Sequence, residues 1–316
     1  MNDWPLVLGF AKKHRGQKLA LATLIGREGS SYRLPGARLL IAENGEFCGS
    51  LSGGCLEEGI ASQAKKVIAS GIARTDHIDT RPHFGCPGVL KIFTEALPDF
   101  ELLEQIDKSL KTRESFTLVT SPLGTSLTEE HQEEFFEEQV NPPIRLIAIG
   151  GTSDLNPVFN FSQTLGWQSY RILPDSRLLA GTPSRSGESI SHFSPTELLT
   201  QFPPDSQTAV LLMTHHLVSD LAYLKELFSI PYGYLGLLGS RRRRESLLAE
   251  LGELGQLQDM DAISRFHAPV GLDIGASHPN TIALAIVAEI QATLAKREAG
   301  FLRDRLLNIH SAVRVR

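Results

Sequence analysis

The stretch IRLIAIGGTSDLNP, residues 144–157, decides the fold. IRLIAIG is an almost unbroken apolar run, the pattern of a strand buried on both faces. Glycines then break the run, and the spacing predicts a helix near 155–165, ended by Gly166. The same strand–loop–helix order repeats downstream. WQSYRIL (167–173) reads as the next strand, TAVLLMT (208–214) as another with a helix through DLAYLKELF, and YGYLGLLG (232–239) as another with a helix through RESLLAELGEL. A last helix spans 281–297, where Ile282, Ile286, Ile290 and Leu294 recur at four-residue spacing behind Pro279. This alternation predicts a Rossmann-like, doubly wound parallel-sheet domain over residues 144–316.

Upstream, residues 1–121 read as a mixed α/β domain. A short helix over 3–14 has Asp3 as candidate cap and Gly16 as its stop. LALATLIG reads as a strand, and ARLLIAENGEFCGSL (37–51) as a hairpin turning at Asn44-Gly45. A helix is predicted from about Cys55 to Ser70, then strands RTDHIDT and GVLKIFTEA, a helix near 99–112 and a strand near 115–121. Residues 122–143, with Pro122, the acidic run EEHQEEFFEEQ and Pro142-Pro143, read as a linker.

Composition narrows the function. A chain of 316 residues, 41% hydrophobic and 21% charged, supports two globular cores. A net charge of −5 speaks against nucleic acid as a partner. No apolar stretch has the length of a membrane span, and MNDWPLVLGFAKKHRGQ lacks the pattern of a signal peptide. Three cysteines without repeated spacing do not form a disulfide framework, so a reducing cytoplasm is expected.

The glycine turn after residue 149 departs from the dinucleotide pattern G-x-G-x-x-G. Gly150 holds the first position, but Thr152 and Leu155 hold the others, and Asp154 brings an anion where phosphate would lie. Asp175 stands at a ribose-contact distance along the chain. Bound NAD(P) and a plain structural turn are both open on these residues. Ligands of such sheets sit beyond the carboxyl ends of the strands. There the chain offers His215, His216 and Asp220, then Gly239, Ser240 and Arg241, then His267, Gly271, Asp273, Gly275 and His278. Each set also reads as solvated or turn-forming residues. Together they suggest a crevice for an anionic, phosphate-bearing ligand, with Arg241 as the leading anion contact.

The cysteines raise a second question. In GSLSGGCLEEG (49–59), Ser52, Gly53 and Gly54 lead into Cys55, predicted in the first turn of a helix where the dipole favours a thiolate. Glu57 and Glu58 oppose that ionisation. Gly85 and Cys86 sit in a similar frame, FGCPG. Each thiol reads as a buried filler or as a group that something touches; two in matching turns suggest a joint site. Cys48, inside the hairpin, reads as core.

At these motifs the chain resembles the XdhC/CoxI family, accessory proteins of xanthine dehydrogenase and related molybdenum hydroxylases. The first domain carries GSSYRLPGARLLI, GSLSGGCLEEGI and FGCPG. The second carries GGTSDLNPVFNFSQTLGW, PDSR, MTHHLVSD, YLGLLGSRRRRESLL and FHAPVGLDIGASHPNTIALAIVAEI. The resemblance covers nearly the whole chain. It implies a chaperone that holds the molybdenum cofactor, a pterin dithiolene with a phosphate, keeps it competent for sulfuration, and helps insert it into an apo-hydroxylase. It also implies a sulfur-donating desulfurase as partner and a homodimer. The resemblance implies that Cys55 and Cys86 lie near the molybdenum or its sulfur, as candidate metal ligands; the full set of candidate cofactor-binding residues is Ser52, Gly53, Gly54, Cys55, Glu57, Gly85, Cys86, Gly150, Asp175, His215, Asp220, Gly239, Ser240, Arg241, His267 and Asp273. Two positions depart from the family: Thr152 stands in a turn that usually reads G-A-G, and Pro87 follows the second cysteine in place of glycine. The competing readings are an NAD(P)-dependent oxidoreductase using Gly150, Asp175 and a strand-end histidine, and a protein–protein adaptor whose sites have decayed.

Overall fold

The computed structural model describes residues 3–29, 31–54, 56–81, 88–127, 136–181, 188–255, 257 and 259–305. The chain divides into two compact units, Met1–Pro142 and Pro143–Arg316.

The first unit is a mixed α/β layer structure. Its elements are α1 (Trp4–Lys13), β1 (Leu19–Gly29), β2 (Arg38–Ala42), β3 (Phe47–Gly49), α2 (Glu57–Ser70), β4 (Arg74–Asp79), β5 (Gly88–Leu97), α3 (Glu101–Thr112), β6 (Phe116–Ser121), β7 (Gly124–Ser126) and β8 (Phe136–Val140). The main sheet is antiparallel, in the order β3-β2-β1-β5-β4. Alternation along β1 sorts its side chains to two cores. Leu19 and Leu21 pack with α1 and α3, whereas Ala20, Ala22 and Leu24 pack with Ile60, Ala61 and Ala64 of α2.

The stretch expected as a linker is in part sheet. β7 and β8 flank β6 in a small antiparallel sheet. Phe136 to Val140 alternate between partly covered and exposed positions, and Glu138 of the acidic run pairs with the buried Arg38. The Thr125 N–H donates to Glu95 Oε2 at 2.9 Å. These ties attach the segment to the first unit, which ends at Pro142. The Asp3 carboxylate, expected as a cap, pairs instead with Arg33.

The second unit consists of β9 (Arg145–Ile149), α4 (Leu155–Thr164), β10 (Gln168–Leu173), a 3-10 turn (Ser176–Gly181), β11 (Glu188–His192), α5 (Pro195–Gln201), β12 (Thr208–Leu212), α6 (Leu217–Leu227), β13 (Tyr234–Leu237), α7 (Arg241–Glu253), α8 (Met260–Arg265), β14 (Phe266–His267) and α9 (Pro279–Leu294). All strands run parallel in the order β11-β10-β9-β12-β13-β14. Counted from β9, this is the 3-2-1-4-5-6 order of a doubly wound sheet, with its topological switch between β9 and β12. One face packs on α5, α6, α7 and α8, and the other on α4 and α9. No described helix is long and apolar enough to cross a membrane.

His14 closes the end of α1 with a titratable lock. Its Nδ1 lies 3.0 Å from the Phe10 carbonyl and its Nε2 2.6 Å from Glu46. Both partners only accept, so the doubly protonated ring satisfies both. The bond to Phe10 and then that to Glu46 raise its pKa above 6.5. A raised folded pKa gives stability that is complete below the unfolded value and is lost as pH climbs through the folded one. The denaturation midpoint of the first unit is therefore expected to fall as pH rises above 6.5, and His14→Gln is expected to remove most of that slope. Denaturant titrations of both proteins across this pH range check it.

Candidate functional site

In the first unit the site begins with the turn after β3. Gly53 and Gly54 both have positive φ, 86° and 112°. Such backbone turns N–H groups away from any strand partner, and a buried carboxylate collects them. Glu57, 3% exposed, is the first residue of α2. Its Oε1 accepts from Ser50 Oγ at 2.9 Å, Leu51 N at 2.8 Å and Ser52 N at 2.9 Å. Its Oε2 accepts from Ser52 Oγ at 2.7 Å and from Gly54 N and Leu56 N at 3.0 Å each. Burial alone would raise the pKa of this carboxyl. The bonds from Ser52, Leu51 and Ser50 outweigh it and hold the group far below the ordinary carboxylate range.

Glu57 is thus turned inward, onto the loop that precedes it. The helix also starts later than the sequence predicts: Leu56 is its N-cap, so the first turn opens with Glu57. Cys55, Gly85 and Cys86 lie outside the described residues.

Two residues that sequence reasoning passed over complete the turn. A Cβ on Gly53 would lie 3.1 Å from the Tyr32 ring, and Arg33 Nε donates to the Ser50 carbonyl at 3.3 Å. Tyr32 and Arg33 therefore fold onto the backbone of Ser50 and Gly53. Between β4 and β5, Thr80 N donates to the Gly88 carbonyl at 2.8 Å and Gly88 N to Thr80 Oγ1 at 3.1 Å. The register places Gly49 opposite Leu39, Thr23 opposite Arg38, Gly29 opposite Gly88 and Asp79 opposite Val89. Through Leu39, Gly49 lies level with Ala22 on β1, whereas Gly88 lies level with Gly29 at the far end of that strand. Cys48 is half-buried on β3, with Sγ 3.8 Å from the Leu6 carbonyl.

In the second unit the carboxyl ends of β9, β12 and β13 converge. A Cβ on Gly150 would lie 2.3 Å from the Met213 carbonyl oxygen, so only glycine lets the two chains meet at the switch point. Asp154 at the start of α4 reaches His215 across this point, with Oδ2 3.5 Å from Nε2. His215 holds a φ of 58°, rare outside glycine. Next to it, Asp220 is 1% exposed. It accepts from Thr214 Oγ1 at 2.5 Å and from Arg243 Nε at 3.0 Å. Ser240 is the N-cap of α7, accepting from Arg243 N. Gly239 leaves room for the Arg243 chain, which a Cβ would approach to 2.6 Å.

Arg243, rather than Arg241, is the arginine that turns inward, because only one ridge of α7 faces Asp220. Arg241 and Asp273 are exposed. Asp175 is clasped by Arg177, whose side-chain bonds lower its pKa to about 2. His267 stacks on Tyr234 beside Glu289. Gly150, His215, Asp220, Gly239 and Ser240 are thus gathered around adjacent strand ends, and Arg241, Asp175 and Asp273 are not part of that contact set.

Comparison with known proteins fits both units. Residues 13–79 match the model described as the XdhC and CoxI family, and residues 146–290 match that of the XdhC Rossmann domain. The chain belongs to the XdhC and CoxI family. Within it, this XdhC-type chain is 28% identical to a probable xanthine dehydrogenase subunit of Bacillus subtilis (strain 168), over 88% of this chain and 93% of that protein. It is 26% identical to the molybdenum cofactor insertion chaperone PaoD of Escherichia coli (strain K12), over 94% and 91%. The crystal structure of a xanthine dehydrogenase from Bacillus halodurans superposes with a TM-score of 0.77 at 26% identity, covering 95% of this chain and 97% of that one. The family segments contain Tyr32, Arg33 and Glu57 in the first unit, and Arg243 and Glu289 in the second.

Two substitutions test these geometries. Glu57→Gln leaves half of the donors around the carboxylate without an acceptor, whichever way the amide turns. It is expected to cost about 2–4 kcal/mol and to speed amide exchange at Leu51, Ser52, Gly54 and Leu56, whereas Glu58→Gln, on the exposed side of α2, leaves both unchanged; hydrogen-exchange mass spectrometry checks it. Arg243→Ala strands the buried Asp220 and is expected to cost about 3 kcal/mol. Arg241→Ala is expected to stay within about 0.5 kcal/mol, as chemical denaturation would read.

Proposed function

We propose that the chain binds the molybdenum cofactor as cargo, keeps it protected and competent for sulfuration, and delivers it to an apo-hydroxylase of the xanthine dehydrogenase type. It acts in the cytoplasm as a homodimer, beside a sulfur-donating desulfurase. The observation that carries this reading is the glycine turn of Ser52, Gly53 and Gly54, whose N–H groups are held by the buried Glu57 and which stands immediately before Cys55 in the sequence. Soft thiolates from Cys55 and Cys86 suit the metal and its sulfur. Two relatives that match nearly end to end are named for molybdenum cofactor insertion and for xanthine dehydrogenase, which supports the same cargo and client.

The chain's own groups divide the work by chemistry. Glu57 fixes the turn of Ser52, Gly53 and Gly54, the residues that lead into Cys55 in the sequence. In the second unit taken by itself, His215 and the α7 N-terminus are the polar groups at the ends of β9, β12 and β13 that suit a phosphate-bearing ligand. An NAD(P) oxidoreductase has less behind it. Its ribose candidate, Asp175, is already paired with Arg177, and Asp154 adds a carboxylate at the glycine turn.

The purified chain is incubated anaerobically with molybdenum cofactor released from a molybdoenzyme and passed through a sizing column. Molybdenum is then counted by elemental analysis and pterin by fluorescence, with NADH tested in parallel. Wild type is expected to retain cofactor and to activate an apo-hydroxylase. Cys55→Ala and Cys86→Ala are expected to retain at least about tenfold less. Uptake of NADH with no uptake of cofactor overturns the reading.

A further inference from the structure

One side chain couples the motif GLDIGA (271–276) to the distant AEI (288–290). Glu289, on α9, accepts the Tyr234 hydroxyl at 2.5 Å and the Gly271 N–H at 2.9 Å, both on Oε2. Its Oε1 lies 3.4 Å from His267 Nδ1. The His267 ring stacks on Tyr234 with centroids 4.4 Å apart. The loop is held against its surroundings as well: Val270 N donates to the Leu237 carbonyl at 3.1 Å and Leu272 N to the Ala285 carbonyl at 3.2 Å. His267 therefore has its ring plane set by Tyr234 and its rotation set by Glu289.

The chemistry of this cluster is directional. Burial acts to raise the Glu289 pKa, but the contacts with His267, Tyr234 and Gly271 outweigh it and lower it. An ionised carboxylate only accepts, so in the neutral ring the proton sits on Nδ1 and Nε2 keeps its lone pair. Among the described residues nothing bonds to Nε2, and the ring is partly open to solvent. A carboxylate that orients one nitrogen of a histidine and leaves the other free is the arrangement used to aim an imidazole at a ligand.

We propose that His267, aimed by Glu289 and Tyr234, is a specificity contact at the end of β14, where its Nε2 accepts a hydrogen bond from an N–H or O–H donor of the bound ligand. The amino-pyrimidinone edge of a pterin carries such donors, and this assignment of the ligand rests on the cargo reading above. Glu289 is the positioning residue; it acts through His267 and through the Gly271 N–H.

Glu289→Gln separates positioning from mere packing. The amide oxygen keeps the bonds to Tyr234 and Gly271, while the amide NH₂ faces Nδ1 and drives the ring proton to Nε2. Nitrogen-15 NMR of the ligand-free full chain is expected to show His267 protonated on Nδ1 in wild type and on Nε2 in Glu289→Gln, with the melting temperature little changed. Uptake of molybdenum cofactor released from a molybdoenzyme is expected to fall about tenfold in that variant. His267→Asn keeps a donor toward Glu289, removes the Nε2 position together with the ring that stacks on Tyr234, and is expected to lose as much. Wild-type His267 protonated on Nε2, or unchanged uptake in His267→Asn, overturns the proposal. Absence of uptake by wild type itself overturns the cargo reading and the ligand assigned here, and the NMR result then shows whether the aimed histidine stands without it.

Discussion

A backbone N–H turned away from strands and helices must still find an acceptor, and a glycine turn with positive φ creates several such groups at once. Both units meet this constraint with a carboxylate carried on a helix, buried in the first and partly buried in the second. In the first, Glu57 at the start of α2 gathers the N–H groups of Leu51, Ser52, Gly54 and Leu56. In the second, Glu289 near the end of α9 takes the N–H of Gly271, whose φ is 108°. The turns that carry the candidate chemistry are therefore tied to rigid elements, and their shape depends on the ionisation of an interior acid. Asp220 plays a related part, holding Thr214 and Arg243 together behind the strand ends.

This arrangement changes the meaning of the acidic residues. A glutamate two positions after Cys55 looks from the sequence like a charge that resists a thiolate. In the structure its oxygens face hydroxyl and N–H donors, and its charge is balanced within the loop. Asp220 is likewise matched by a guanidinium. The groups left facing outward at the strand ends include His215 and His267, with Asp154 beside His215 and Arg241 and Asp273 exposed.

Much of the fold was legible because burial leaves a period in the chain. The runs at 145–149, 208–212 and 234–237 announced strands buried on both faces, and the Asn44-Gly45 turn announced the β2–β3 hairpin. β8 was hidden because its glutamates mimic a solvated strap; only pairing with β6 and the Arg38 contact make it a strand. β14 was hidden because two residues carry no period, and α5 because seven residues barely span two turns. Among site residues, Gly53, Gly54 and Gly150 were readable from their surroundings. Tyr32, Arg33 and Glu289 were not, since each acts on a residue far from it along the chain.

The sequence by itself determined the class of each unit, the family, and the glycine turns where ligands could approach, because hydrophobic period and positive-φ glycines are local properties. Only the tertiary structure decided which polar side chains face outward. It turned Arg243 inward and left Arg241 in solvent, folded Tyr32 and Arg33 onto the backbone of Ser50 and Gly53, and joined GLDIGA to AEI through one carboxylate. Hydrogen-bond partners are chosen by proximity in space, and a linear sequence does not contain that distance.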